Sequence, residues 1–239
     1  MSYLSNKLKK TYISGKGYGF IANSNINSGE ILIEDVPFTI TSNKIYSDIF
    51  QLLYEVFKNK LMLLQFMKLC PKLLENHAEN KEKILQELLK VKNHNIEIYD
   101  FFVNNYTTNE IMLFCTKYMR NAFSFKDKPS FLFIGTILNH SCLPNTIFGE
   151  VDGKMVFKAI TNIKKGEEIY DNYIDITLHK NERQKYLLEQ YGFSCNCDRC
   201  VETKRLNIEK YNDEAINIEY KRFKTFGFTK SQKITNNNL

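Results

Sequence analysis

The run Cys195-Asn196-Cys197-Asp198-Arg199-Cys200 constrains this chain more than any other stretch. Tetrahedral zinc takes four closed ligands, so three cysteines spaced C-x-C-x2-C leave one position for a donor from elsewhere. Cys142, inside the polar turn Leu138-Asn139-His140-Ser141-Cys142-Leu143-Pro144-Asn145, is the candidate for it. A zinc ion held by Cys142, Cys195, Cys197 and Cys200 would be structural, with no open coordination position. It would staple the late segment of the chain onto that turn. The bland alternative, four free buried cysteines, is disfavoured by the spacing. Between the two stretches lies Gly166-Glu167-Glu168-Ile169-Tyr170-Asp171-Asn172-Tyr173, which reads as a turn and a short strand ending in a tyrosine.

The whole chain sets wider bounds. Its 239 residues, 43% of them hydrophobic, suffice for one sizeable core or two small ones. The formal net charge of +6 comes from scattered Lys and Arg, which reads as a solvated surface and not as a nucleic-acid footprint. No specific nucleic-acid binding is expected. No apolar run approaches the roughly 18 residues that a membrane span needs, and Met1–Lys7 has no hydrophobic signal core. Six cysteines without such a signal point to metal ligands or free thiols and not to a disulfide framework. The expectation is an intracellular protein, cytoplasmic, nuclear or both, without membrane contact and monomeric.

Periodicity gives the element plan. Residues 11–40 read as two short strands, Tyr18 to Ile21 and Ile31 to Ile33, joined by a turn at Asn27-Ser28-Gly29-Glu30. Gly15, Gly17 and Gly19 precede or interrupt the first strand, where glycine lets backbone approach a ligand closely. By themselves they fit an ordinary tight turn, and no phosphate-loop Gly-Lys-Ser/Thr follows. Ile49, Leu52, Leu53, Val56 and Phe57 form a helical stripe, with Ser47 as its N-cap and Pro71 beyond its end. A second helix is expected over Lys81–Val91 with Ile84, Leu85, Leu88 and Leu89 on its apolar side. A third follows Thr107, which has capping-box spacing to Glu110 and would place Ile111, Phe114, Cys115 and Tyr118 inward. These stripes read as core packing. Beyond Ile134 strands return, with Asp152-Gly153 as a hairpin turn. Residues 178–190 read as a helix stopped by Gly192. Ile163-Lys164-Lys165-Gly166-Glu167 echoes Ile26-Asn27-Ser28-Gly29-Glu30, the same turn chemistry used twice.

Three strings together resemble the SET-domain lysine methyltransferases, most closely the SET and MYND (SMYD) branch. They are Asn139-His140-Ser141-Cys142-x-Pro144-Asn145, Gly166-Glu167-Glu168-x4-Tyr173 and the Cys-x-Cys-x2-Cys run, in the family's order and approximate spacing. The resemblance covers roughly 11–40 and most of 118–200. It implies an α+β fold of SET type: small antiparallel β-sheets around a pseudoknot, a helical insert and a zinc-bound post-SET segment. The expected boundaries are a SET domain over 1–200 and a charged tail over 201–239. The domain comprises an N-terminal part at 11–44, an insert at 45–119, a core at 120–190 and a post-SET segment at 191–200. The chain departs from SMYD relatives in the interval where a MYND finger would lie, which holds only Cys70, His77, His94 and Cys115 at spacings that suit no zinc module. The superhelical C-terminal domain of the longer members has no room after Cys200.

The resemblance implies S-adenosylmethionine (SAM)-dependent methylation of a protein lysine, on a histone tail or a non-histone protein. Tyr173 takes the place of the catalytic tyrosine nearest the methyl group. Lys16, Tyr18, Asn121, Asn139, His140, Tyr173 and Phe193 become cofactor-binding candidates, and Tyr191 a lining residue of the substrate-lysine tunnel. His140 is expected to be held in place and not to act as a general base. Two alternatives stand beside this reading: a catalytically silent SET module, and a zinc-stapled adaptor that docks protein partners through its basic surface.

Overall fold

A computed structural model describes residues 1–39, 48–73, 78–126, 128–202 and 218. The described residues divide into two compact units, one of Met1–Pro37 with residues 134–202, the other within Phe38–Phe133. The first unit opens with β1 (Tyr3–Leu4), β2 (Leu8–Ile13), β3 (Gly17–Ala22) and β4 (Ile31–Asp35). β2 and β3 form an antiparallel hairpin in register from Leu8↔Ala22 to Ile13↔Gly17. Gly15 turns it at φ +76°, a conformation that only glycine adopts without strain. The strand expected at Tyr18–Ile21 is therefore present, but its partner starts before the range read as strands. Lys9 and Lys10 lie exposed on β2, so its sequence lacks the apolar alternation that announces a strand.

The second unit carries β5 (Phe38–Thr39), then α1 (Asp48–Lys58), α2 (Lys60–Met67), α3 (Ala78–His94), α4 (Ile96–Asn105) and α5 (Thr108–Asn121), and closes with β6 (Ala122–Phe125) and β7 (Lys128–Phe131). The sheet order is β5-β7-β6. Two helices exceed the three expected, and both additions begin at an asparagine. Asn59 Oδ1 accepts from the backbone N–H groups of Leu61 and Met62 at 3.0 and 3.1 Å, and Asn95 Oδ1 accepts from Ile98 N–H at 3.3 Å. Each side chain satisfies orphan donors of a helix start. The capping box at Thr107 has both arms: Glu110 N–H donates to Thr107 Oγ1 and Thr107 N–H to Glu110 Oε2. Ile111, Phe114, Cys115 and Tyr118 are buried as expected. Leu89 is not; the buried face of α3 runs Ile84, Leu88, Val91, a narrower stripe than the four candidates at 84, 85, 88 and 89 suggested. Ser47, the expected cap of α1, lies outside the described residues. Phe57 sits centrally in an aromatic core with Phe66, Phe101, Phe102, Tyr106 and Phe114, ring centroids 4.9–6.3 Å away.

Back in the first unit follow β8 (Asn139–His140), β9 (Thr146–Val151), β10 (Lys154–Ala159), β11 (Glu168–Asp171), α6 (Lys180–Tyr191) and α7 (Asp198–Glu202). Two four-stranded sheets result, ordered β1-β4-β10-β9 and β2-β3-β11-β8. β9 and β10 pair across Asp152-Gly153, whose φ values of +48° and +76° are those of a two-residue hairpin turn. Gly192, at φ +75°, caps α6 through N–H bonds to the Leu187 and Leu188 carbonyls. The echoing turns at 26–30 and 163–167 face one another. Ile26 and Ile163 exchange both backbone hydrogen bonds at 2.9 Å. Ser28 N–H donates to Asn162 Oδ1, and Lys165 N–H to Asn25 Oδ1, both at 3.0 Å. Among the described residues no helix is long and apolar enough to cross a membrane. The charged tail expected over 201–239 lies outside the described residues apart from positions 201, 202 and 218.

Candidate active site and metal centre

Strand β11 organises the site. It runs parallel to β8, with Tyr170 opposite Asn139 and Asp171 opposite His140, and antiparallel to β3 on its other side. This crossing brings the Asn139–Cys142 turn beside the strand that leads into Tyr173. Two side chains complete the hydrogen bonding of β11. Asn145 donates from Nδ2 to the Glu168 carbonyl and accepts Tyr170 N–H on Oδ1, at 2.8 and 2.7 Å. Thr146 Oγ1 donates to the Tyr170 carbonyl at 2.7 Å.

Glu168 joins two of the candidate residues. Its Oε1 accepts from Asn139 Nδ2 at 2.8 Å and its Oε2 from Lys16 Nζ at 2.9 Å. Lys16 Nζ also donates to the Tyr170 hydroxyl at 3.0 Å. Burial alone would lower the Lys16 pKa, but the hydrogen bonds and charges of Glu168 and Tyr170 outweigh it and raise it above the ordinary lysine value. Gly19 leaves room for this hub: a Cβ there would stand 2.6 Å from Asn139 Nδ2 and 3.2 Å from Glu168 Oε1. From sequence, Glu168 counted only as part of the Gly-Glu-Glu string and of the short strand after it, with no role in the site. Its position one residue after the Gly-Glu turn, on an inward strand, was the available signal.

The rings of His140, Tyr173, Tyr191 and Phe193 gather into one cluster. Tyr173 lies 5.0 Å from Tyr191, 5.3 Å from His140 and 6.3 Å from Phe193 between centroids. The Tyr173 hydroxyl donates to the Leu138 carbonyl at 2.6 Å, and the Tyr191 hydroxyl to the Tyr173 carbonyl at 3.2 Å. Burial, with the charge of Asp171 adding to it, pushes the Tyr191 phenol well above its ordinary pKa, so it stays neutral. His140 is buried; its Nδ1 accepts Tyr173 N–H at 3.0 Å and its Nε2 lies 3.4 Å from Cys142 Sγ.

The four cysteines converge. The ligand atoms of Cys142, Cys195, Cys197 and Cys200 all lie within 4.8 Å of one another. Cys142 Sγ is 4.0 Å from Cys195 Sγ and 3.6 Å from Cys200 Sγ. Tetrahedral zinc with Zn–S bonds of about 2.3 Å requires sulfurs roughly 3.8 Å apart, so the arrangement fits that ion. Four thiolates around Zn²⁺ carry net negative charge, and two buried arginines stand by to balance it. Arg183 donates from Nε to Cys142 Sγ at 3.2 Å and from Nη1 to the Leu178 carbonyl at 2.6 Å. Arg199 donates to the Cys142 and Ile176 carbonyls. Gln184 clamps Cys195, donating to its carbonyl at 2.6 Å and accepting its N–H at 2.9 Å. Neither arginine was singled out from sequence, because a buried arginine on a charged helix looks like any surface residue until its partners are known.

Two candidates have other partners. Tyr18 is half exposed on β3, packed edge-on against Tyr12 at 5.7 Å with Lys10 Nζ 4.9 Å from its ring. Asn121 belongs to the other unit, where its Nδ2 donates to the Cys70 and Lys117 carbonyls at 2.8 and 2.7 Å.

The SET-domain family model matches residues 17–174. A SET domain-containing protein of Acanthamoeba polyphaga mimivirus is 36% identical over 204 residues, covering 84% of this chain and 80% of that protein. N-lysine methyltransferase SMYD2-B of Danio rerio is 34% identical over 89 residues, 36% of this chain and 20% of that protein. A crystal structure of the SET domain of LSMT bound to lysine and AdoHcy superposes with TM-score 0.59 at 15% identity, over 81% of this chain and 53% of that one. The chain thus spans most of the viral relative, a fifth of the fish enzyme and about half of the LSMT chain.

Proposed function

Because this chain belongs to the SET-domain family, we propose that it is a SAM-dependent protein-lysine N-methyltransferase, SMYD-like but with no MYND finger in its helical insert. In this reading residues 1–200 are the SET domain, 45–119 its helical insert and 191–200 its post-SET segment. The substrate is a lysine of a histone tail or of a non-histone protein.

The observation that carries the proposal is the disposition of two phenols. Tyr173 commits its proton to the Leu138 carbonyl and Tyr191 commits its own to the Tyr173 carbonyl. With each hydroxyl proton assigned, what either oxygen can offer the N–H of an incoming amine is an acceptor. A free lysine titrates near about 10.4, so the amine must be desolvated and oriented before it can act as a nucleophile. The faces of Tyr173, Tyr191 and Phe193 exclude water and attract a cationic stem. Tyr191 stays neutral and accepts without abstracting a proton. SAM, when bound, supplies a sulfonium methyl group. The ammonium proton passes to bulk solvent before the amine is enclosed, and the chain's contribution is then alignment, worth on the order of 7 kcal/mol.

The residues present suit such a donor. Asn172 Oδ1, adjacent to Tyr173, is buried with no hydrogen-bond partner among the described residues, which is costly unless a ligand supplies a donor. Lys16, Asn139 and Glu168 add a cation, an amide and a carboxylate within one hub. Cys142, Cys195, Cys197 and Cys200 would hold zinc, which would fix residues 191–200 over the ring cluster.

The test pairs calorimetric titration of SAM with radiolabelled methyl transfer to a histone mixture and to a cell lysate. Saturable binding, with label that disappears in Tyr173→Phe, is the expected result. Absence of SAM binding by zinc-replete protein overturns the enzyme reading in favour of a silent module or an adaptor.

A further inference from the structure

The cysteine centre and the ring cluster are joined through one imidazole. A backbone N–H can only donate, so Nδ1 of His140, which accepts from Tyr173 N–H at 3.0 Å, carries no proton. The ring proton therefore sits on Nε2, which faces Cys142 Sγ at 3.4 Å. The same sulfur accepts from Arg183 Nε at 3.2 Å. Two donors aimed at one sulfur suit a thiolate, which is the state a metal imposes on a cysteine ligand. Tyr173 is in turn held at three points: its N–H by His140, its carbonyl by Tyr191 and its hydroxyl by Leu138.

We propose that His140 is a positioning residue that couples the metal centre to Tyr173. Filling the centre would fix the position of the Cys142 sulfur, which lies 3.4 Å from Nε2. The ring is thereby locked with Nδ1 toward Tyr173, and the backbone of the residue that orients the substrate amine is set. A hydrogen-bonded neighbour of a metal ligand tunes the ligand in the same way, so the coupling runs in both directions. The kinetic part of this inference rests on the methyltransferase reading; the structural part does not.

The experiment uses the full chain with ¹⁵N-tyrosine, loaded with zinc or depleted of it. The Tyr173 amide is assigned by its loss in Tyr173→Phe. In the wild type that amide resonates downfield when zinc is bound and moves upfield on depletion. His140→Phe keeps the ring volume but offers neither hydrogen bond. It should retain one zinc per chain, show the amide already upfield and insensitive to metal, and lose about tenfold in kcat, the worth of one hydrogen bond. Its KM for peptide should stay close to wild type. Should His140→Phe fail to fold, His140→Asn replaces it, keeping an acceptor near Nδ1 but not reaching Cys142. Its amide should stay downfield whether or not zinc is present. A Tyr173 amide that follows zinc as strongly in the variant as in the wild type overturns the coupling. So does a folded variant with full turnover. Wild-type protein that methylates nothing refutes the enzyme reading, while the amide shift still decides the coupling.

Discussion

Gly19→Ala is the substitution whose consequence can be worked out most fully. The backbone of Gly19 is ordinary extended strand, paired with Thr11, so the variant carries no conformational penalty and the cost is purely one of space. The added Cβ would lie 2.6 Å from Asn139 Nδ2 and 2.6 Å from Ile13 Cδ1. Ile13 can yield by rotating a terminal methyl. Asn139 cannot, because its backbone is paired in β8 and its amide is tied to Glu168 at 2.8 Å. Restoring ordinary contact needs a shift of roughly 0.8 Å, which would stretch that hydrogen bond beyond bonding distance. The loss is a bond to a charged group, about 1.5–3 kcal/mol, with overpacking adding about 1 kcal/mol. Urea unfolding should therefore register about 2–4 kcal/mol of destabilisation. SAM affinity should fall in the same protein, since the Asn139–Glu168–Lys16 hub is displaced. Asn139→Ala removes the obstacle, so Gly19→Ala should cost far less in that background. A Gly19→Ala protein as stable as wild type, or equal costs in the two backgrounds, would refute the steric argument.

Cys197→Ala leaves three thiolates for a four-ligand ion and should lose zinc by elemental analysis, with SAM affinity falling at least about tenfold. Wild-type affinity in the metal-free variant would count against the closing role of residues 191–200. Lys117 is buried, and desolvation, with Lys72 adding like charge, pulls its pKa down to about 8. The folded state thus binds its proton less readily than the unfolded chain, and the penalty is full below pH 8 and fades as pH rises toward the unfolded value of about 10.4. The stability of wild type relative to Lys117→Met should rise by on the order of 2 kcal/mol from about pH 7 to about pH 9.5. A pH-independent difference in urea titrations would contradict the burial argument. Thr107→Ala removes one arm of the capping box and should cost about 1 kcal/mol in the same assay.

The parts of the molecule that were legible in the sequence are those where a local rule and the tertiary outcome agree. The Thr107–Glu110 box, the Asp152-Gly153 hairpin and the Gly192 stop each follow from backbone chemistry within four residues, and the fold keeps all three. The cysteine cluster was legible for a different reason. Ligand number is a global constraint that a spacing of three cysteines leaves unsatisfied. What stayed hidden depended on long-range partners. Asn59 and Asn95 look like loop asparagines until a helix begins after each. Glu168, Arg183 and Arg199 acquire their meaning in the site from partners 152, 41 and 23 positions away. β2 was missed because an exposed strand with two lysines has no apolar alternation to display.

The repeated turn shows how a sequence observation can be right and still stop short. Asn25-Ile26-Asn27-Ser28-Gly29-Glu30 and Asn162-Ile163-Lys164-Lys165-Gly166-Glu167 share Asn, Ile, Gly and Glu at matching positions. Local chemistry explains the last two: Gly29 and Gly166 stand at φ +91° and +93°, and each glutamate accepts the N–H of the residue three before it. Local chemistry does not explain the asparagine and the isoleucine. Those are explained by each turn being the other's partner: the isoleucines exchange backbone bonds, and each asparagine caps an N–H in the opposite turn. The pairing also spans the chain's long excursion through the helical unit, since one turn precedes Pro37 and the other follows Ile134. Gly29 N–H reaches the Ala159 carbonyl at the end of β10, and Gly166 N–H reaches the Ala22 carbonyl at the end of β3. Each turn is thus fastened to a strand that leads toward the other. The second turn feeds β11 directly, so the register that sets Tyr170 beside Asn139, and with it the course of the chain into Tyr173, is anchored by a contact made 137 positions away in sequence.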